Sequence, residues 1–442
     1  MRFTLVDNRF FSLHNLWVTI LFLSFSYDKS ILDITSVDRF NPRIIDIAFI
    51  LAIIWYLKEK IFYKIFNPVY IAYKKLIYVF VFACLASILI YDFPSIISAY
   101  SLYFLLKYLK EILICFFFLQ ILKKYNFDYI ALINLLLLGA FFVVCYSFLE
   151  SVNLQDQVIV NADKFIYKSV NTVWGPFTAS YFQLANYSPV IGFLLFNFGL
   201  NSNIKRRHLY TVVGILLISL SFFTGSRTSL GFLFCMIIIS SFYDYKFRRF
   251  LIGFLSLCII YFVFMPTAID LFFSSNTINR LFLMQDIYFE RNSIFSRIFI
   301  FNTWLNEYSN YAYNGIFMPF SGAGFYVAPI DNFYRIGYGW HNSLIFVFEQ
   351  AGILGLIYFI NFISKTNKSL IIHKDLVKNH NMYVFIFSIK VIFVSMIILS
   401  LTGAHTFFLG FATGNFNLLR IFLLLMASDL LIKNNYEKNS SS

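Results

Sequence analysis

The sequence predicts an all-α polytopic membrane protein with about 12 transmembrane helices, forming a single integral membrane domain over residues 1–442. Three observations predict it. The composition is 60% hydrophobic and 13% charged, where a soluble domain is roughly a quarter charged. Apolar runs near the length that crosses the roughly 30 Å hydrocarbon layer recur along the whole chain. Basic residues gather on alternate connections between those runs, as the positive-inside rule requires. A soluble enzyme is excluded. The net charge of +13 is scattered in small clusters with no continuous basic face, which excludes a nucleic-acid partner.

The first 12 residues are polar, and no small-residue cleavage site follows the run from Leu13 to Phe25. A retained span over 13–27, rather than a signal peptide, is expected. Further spans are expected near 43–57, 76–91, 100–122, 129–149, 180–200, 208–224, 228–243, 249–265, 341–363, 382–402 and 414–432. All must be helical, because lipid offers backbone groups no partner. With the N-terminus cytoplasmic, 21 of the 35 Lys and Arg fall on inner loops and tails, among them Lys74, Lys75, Lys123, Lys124, Arg206, Arg207, Arg248 and Arg249. Misplacing one span would invert that bias downstream, so an even number is expected and both termini face inward. Cys84, Cys115, Cys145, Cys235 and Cys258 all lie in apolar runs with no disulfide or zinc spacing, and read as packing residues. The tail from 434, NNYEKNSSS, reads as disordered.

Two outer segments are long: 150–179 and, above all, 266–340, which carries Pro266, Pro319, Pro329 and a glycine-rich stretch. Loops of that size bind or catalyse, or else form a passive cap over the bundle. His341 stands where the long loop meets the tenth expected span. At the membrane boundary its imidazole suits a general base, or anchors a helix end beside Trp340. His405, in TGAHTFFLG, reads as structural. Arg227 occupies the tight turn TGSRTSL on the outer side, against the topology rule. A guanidinium forks phosphate oxygens, or snorkels to the interface. Arg291 and Arg297 precede the glycine-rich stretch and meet either an anionic ligand or Glu290 and Glu307. Arg420 lies inside the last expected span, and Lys107 and Lys110 share a face of the fourth with Tyr103. The competing reading for that pair is an amphipathic surface helix over 96–110, with Glu111 adjacent. Glu349 falls two turns below His341, inside the apolar layer.

Absences narrow the chemistry. The sequence has no Asp-x-Asp pair for Mg²⁺, no Walker motif and no Cys/His cluster at metal spacing. Metal-independent, cofactor-free chemistry on a phosphate-bearing lipid is expected. Arg227, Arg297 and Arg420 would stabilise a departing pyrophosphate, and His341 would deprotonate the attacking hydroxyl.

Three segments resemble the O-antigen polymerase and O-antigen ligase superfamily of bacterial inner-membrane glycosyltransferases: TGSRTSLGFL at 224–233, FSGAGF at 320–325 and HNSLIFVFEQAGILGLIYF at 341–359. The resemblance covers about residues 170–365, in matching order and spacing. It implies a glycosyltransferase C-like membrane fold in which a large periplasmic loop covers an undecaprenyl-diphosphate-linked glycan. It further implies arginines on the diphosphate and a histidine activating the acceptor sugar, which map onto Arg227, Arg297 and His341. Where relatives carry an arginine before a Gly-x-Phe turn, this chain reads KSVNTVWGPF. Lys168 is the nearest cation there, and it cannot fork two oxygens. Arg291, Arg420, Lys168 and Tyr338 complete the expected contacts to diphosphate or glycan. The resemblance implies a polymerase joining lipid-linked repeat units, with membrane lipid and a chain-length regulator protein as partners. A ligase acting on lipid A core shares these motifs. A lipid-linked oligosaccharide flippase is the alternative from another class.

Overall fold

The computed structural model describes residues 13–27, 42–59, 66–90, 96–125, 129–152, 181–223, 227–245, 247–249, 343–369 and 380–400, with residues 31, 63, 176, 252–253, 256, 320, 423–424 and 426–427. Every regular element among them is helical. The helices are α1 (Leu13–Leu23), α2 (Ile44–Glu59), α3 (Pro68–Ile90), α4 (Ile96–Tyr125), α5 (Tyr129–Val152), α6 (Tyr181–Asn201), α7 (Arg207–Phe223), α8 (Arg227–Tyr243), α9 (Ser343–Ser369) and α10 (His380–Ser400). Each falls on an expected span. The outer loop 266–340 and the spans expected at 249–265 and 414–432 lie outside the described residues, a few positions aside.

Three segments, Pro68–Ala86, Tyr129–Glu150 and His380–Leu399, are long and apolar enough to cross a membrane, and α1, α7 and most of α8 are shorter apolar helices. The surface of α2 shows what surrounds them. Ile45, Ala48, Ala52 and Trp55 are buried, while Ile47, Ile50, Ile54 and Leu57 are exposed on the opposite face. A helix apolar on both faces packs inward on protein and outward on lipid. The chain is a helical membrane protein.

One boundary differs from expectation for a local reason. Tyr70 donates its backbone N–H to Asn67 Oδ1 at 2.9 Å, so Asn67 is an N-cap and Pro68 takes the first helical position, where its missing N–H costs nothing. α3 therefore starts before the expected residue 76 and carries Lys74 and Lys75, which were expected in a loop, inside the helix. The Lys74 ammonium lies over the rings of Tyr70 and Tyr78, 5.8 and 5.9 Å from their centroids.

The closest helix pair is the α6–α7 hairpin. A Cβ built on Gly214 would lie 2.6 Å from Phe196 N, and one on Gly199 would lie 2.5 Å from Thr211 N. Small residues let the two backbones approach where no hydrophobic force drives helices together. Ser188 and Ser221 share a hydrogen bond of 2.8 Å across the far end of this hairpin.

Contacts at the other end fix relative directions. Glu59 pairs with Lys124, Tyr210 Oη bonds Asn134, Asn201 Nδ2 donates to Asp244 Oδ2 at 2.7 Å, and His380 Nε2 meets Asn201 O at 2.8 Å. The ends of α2, α4, α6 and α8 and the starts of α5, α7 and α10 thus share one side of the bundle. Lys58, Lys123, Lys124, Arg206, Arg207, Arg248 and Arg249 all lie on that side.

The end of α1 and the middle of α9 each carry a local feature. Ser26, just past α1, packs on Gly139 of α5 and hydrogen-bonds Tyr187 of α6 at 2.9 Å. Gly139 is about 15 Å along α5 from Tyr129 at 1.5 Å per residue, so the end of α1 packs against the middle of α5. Trp17 Nε1 donates to Ala48 O, so α2 runs alongside α1 to the same basic end. The expected span over 341–363 is helical from Ser343 but bent. Inside α9, Gly352 has φ 62° and ψ −159°, which breaks the helix into two arms. Depth below His341 therefore no longer follows from counting residues, and Glu349 cannot be placed in the apolar layer on that ground.

Candidate functional site

Arg227 is the one residue predicted to catalyse or to hold diphosphate or glycan whose backbone falls among the described residues, and it opens α8. Phe223 ends α7, so only residues 224–226 separate the two helices. The turn lies on the side of the bundle opposite the basic ends. His341, Tyr338, Arg291, Arg297, Arg420, Lys168 and His405 lie outside the described residues. His341 and Asn342 directly precede α9 in sequence, so the first arm of α9 carries them.

The described lysines within α4 do come together with partners. α4 is one continuous helix from Ile96 to Tyr125, and Lys107 is 4% exposed. This rules out the surface-helix reading of 96–110 for that pair. Lys110 Nζ pairs with Asp46 Oδ1 of α2 at 2.5 Å, and Tyr73 of α3 donates its hydroxyl to Glu111 Oε2 at 3.2 Å. Asp46 also accepts the backbone N–H of Arg43 at 2.8 Å, which caps the start of α2 in the manner of a capping box. Four ionisable groups on two helices, joined by a tyrosine from a third, meet about 22 Å along α4 from Tyr125. Buried charge inside a membrane bundle is tolerated only when paired in this way.

Sequence reasoning flagged Lys107 and Lys110 but missed Asp46 and Tyr73. The signal was available for Asp46: an acid inside the expected span 43–57 needs a cation. Tyr73 gave none, because its partner is reached only through the packing of α3 on α4.

A second polar set joins α6, α8 and α10 near the basic end. Asn197 Nδ2 donates to Ser388 Oγ at 2.7 Å, Asn201 Nδ2 donates to Asn197 Oδ1 at 2.8 Å, and Asn203 N donates to Asn381 Oδ1 at 2.8 Å. These bonds are satisfied within the bundle and hold helices together. Among the described residues no group of three or more His, Cys, Asp or Glu side chains could hold a metal ion.

No protein-family model matches the chain, and no curated protein matches it at a significant level.

Proposed function

We propose that this protein is a metal-independent O-antigen polymerase of the bacterial inner membrane, which joins undecaprenyl-diphosphate-linked oligosaccharide repeat units at the periplasmic face. The observation that carries the reading is the position of Arg227. It opens α8 after a three-residue connection, on the side of the bundle away from the basic loops that the positive-inside rule assigns to the cytoplasm. A guanidinium at a helix N-terminus joins bidentate phosphate recognition to the positive end of the helix dipole.

In the proposed reaction His341 removes the proton from the acceptor sugar hydroxyl. That oxygen attacks the anomeric carbon of the donor, and the bond to the diphosphate breaks. Arg227, with Arg297, Arg291, Arg420 and Lys168, takes up the charge developing on undecaprenyl diphosphate, while Tyr338 contacts the glycan. The loop 266–340 covers the glycan, both termini are cytoplasmic, and about 12 spans make the membrane body.

The test is a lipopolysaccharide ladder from cells lacking this gene, complemented with wild type, His341→Ala or Arg227→Ala. Core bearing a single repeat in the deletion supports the polymerase, whereas bare core with accumulated lipid-linked polymer makes the protein a ligase. Loss of the general base should slow transfer about 10²–10⁴-fold, and loss of Arg227 about 10²–10³-fold, with normal amounts of folded protein. Normal chain length in either variant removes that residue from the mechanism.

One observation favours a second reading. The paired charges of α2 and α4, tied to α3 through Tyr73, lie deep in the bundle, where a translocation path through the membrane would carry them. Repeat units trapped on the cytoplasmic leaflet in the deletion strain would establish translocation instead.

A further inference from the structure

The break in α9 has two separate requirements. Gly352, at φ 62° and ψ −159°, occupies a region open essentially to glycine alone. Gly355 meets the second. Its Cα is about 12 Å from that of Val347 along a straight helix axis, yet a Cβ built on Gly355 lies 3.1 Å from Val347 O and 2.6 Å from Ala351 Cβ. The first arm folds back so closely that position 355 has no room for a side chain. GILG at 352–355 is an elbow.

The first arm also holds polar groups that nothing among the described residues satisfies. Ser343 and Gln350 lie seven residues apart on the arm's buried face with Val347 and Ala351, at 0 and 2% exposure. Ser343 Oγ and Gln350 Oε1 have no hydrogen-bond partner among the described residues. A buried amide oxygen without a partner raises the energy of the position that buries it. Broken helices with unmet polar groups mark substrate sites in membrane proteins. The arm leads directly from His341.

We propose that the first arm of α9, pivoting at Gly352 and Gly355, is a substrate-operated gate in which Gln350 and Ser343 exchange partnerless burial for hydrogen bonds to sugar hydroxyls of the lipid-linked glycan. Only the identity of the ligand rests on the polymerase reading. The substrate binds the open position better than the closed one, and that difference shifts the equilibrium. Gln350 is thereby a binding residue, and the two glycines position the first arm that carries it.

The probe is the pool of lipid-linked oligosaccharides extracted from cells that make this protein, added to the purified chain in detergent. Gln350→Leu removes the partnerless amide oxygen at similar volume. It should raise the melting temperature of the ligand-free protein, lose the further rise that the oligosaccharides give wild type, and shorten the polysaccharide chains. A lower melting temperature would mean that the amide already has a partner, and would overturn the proposal. Ser343→Cys, nearly isosteric, reads the motion directly. Its maleimide labelling, compared with wild type, should be slow alone and several-fold faster with the oligosaccharides; an unchanged rate refutes the gate. Melting and labelling need no turnover. Accelerated labelling with a normal ladder in the deletion strain would sink the polymerase reading and leave the gate standing.

Discussion

Lys110 and Asp46 are the pair whose removal says most about single residues. The side chains are 18 and 35% exposed, so the pair is neither solvent-screened nor fully dry. Removing one partner strands a charge in the bundle, whereas removing both leaves a gap that apolar neighbours tolerate. Lys110→Ala and Asp46→Ala should each destabilise the protein by about 1–3 kcal/mol, and the double variant by less than their sum. Melting curves of the four proteins in detergent check this, and additive losses would mean that the pair contributes no coupling. Sequence alone identified Lys110 as a membrane cation but could not name Asp46, because 64 positions separate them and only the packing of α2 on α4 brings them together.

Among the elements, the α6–α7 hairpin makes the sharpest claim. The atoms that a Gly214 side chain would meet are the backbone N and Cα of Phe196, at 2.6 and 2.8 Å, and backbone cannot rotate away. Gly214→Ala should therefore force the helices apart and cost at least about 2 kcal/mol. Loss of folded protein or a lowered melting temperature would register it. By contrast Gly231→Ala, whose nearest neighbour is a leucine methyl at 3.7 Å, should be close to neutral. The existence of α6 and α7 was legible from their apolar runs, and so were the other eight described helices. Their lengths were less so. The start of α3 was written in Asn67-Pro68, a capping signal outweighed by the charge of Lys74 and Lys75. The bend in α9 was hidden because a glycine inside an apolar run reads equally as a straight helix or a broken one. Spacing could not reveal that Gly355 touches Val347.

For the whole molecule, directions are firmer than depths. The contacts that gather Glu59, Lys124, Asn201, Asp244 and His380 make the helix directions mutually consistent, and the basic loops share one side. Reporter fusions that are active only in the periplasm should be silent after residues 60, 126, 204 and 375, and active within 153–175 and 266–340. An active fusion at 204 would reverse the bundle and remove Arg227 from the outer face. Of the predicted catalytic and substrate-binding residues, only Arg227 has its backbone among the described residues. What sequence cannot supply is the company Arg227 keeps at the start of α8, because tertiary packing decides it.

The end of the first helix bears on how the protein is made. α1 ends at Leu23, and Ser26 just beyond it bonds to Tyr187, far along the chain. The translocon therefore receives a first helix whose polar end meets its partner only once α6 has been made. α1 and α2 would have to be held at the exit, as a pair, until α5 and α6 have been synthesised and can accept them. Assembly of this protein is then ordered from the middle of the chain outward, with its first helices among the last to settle.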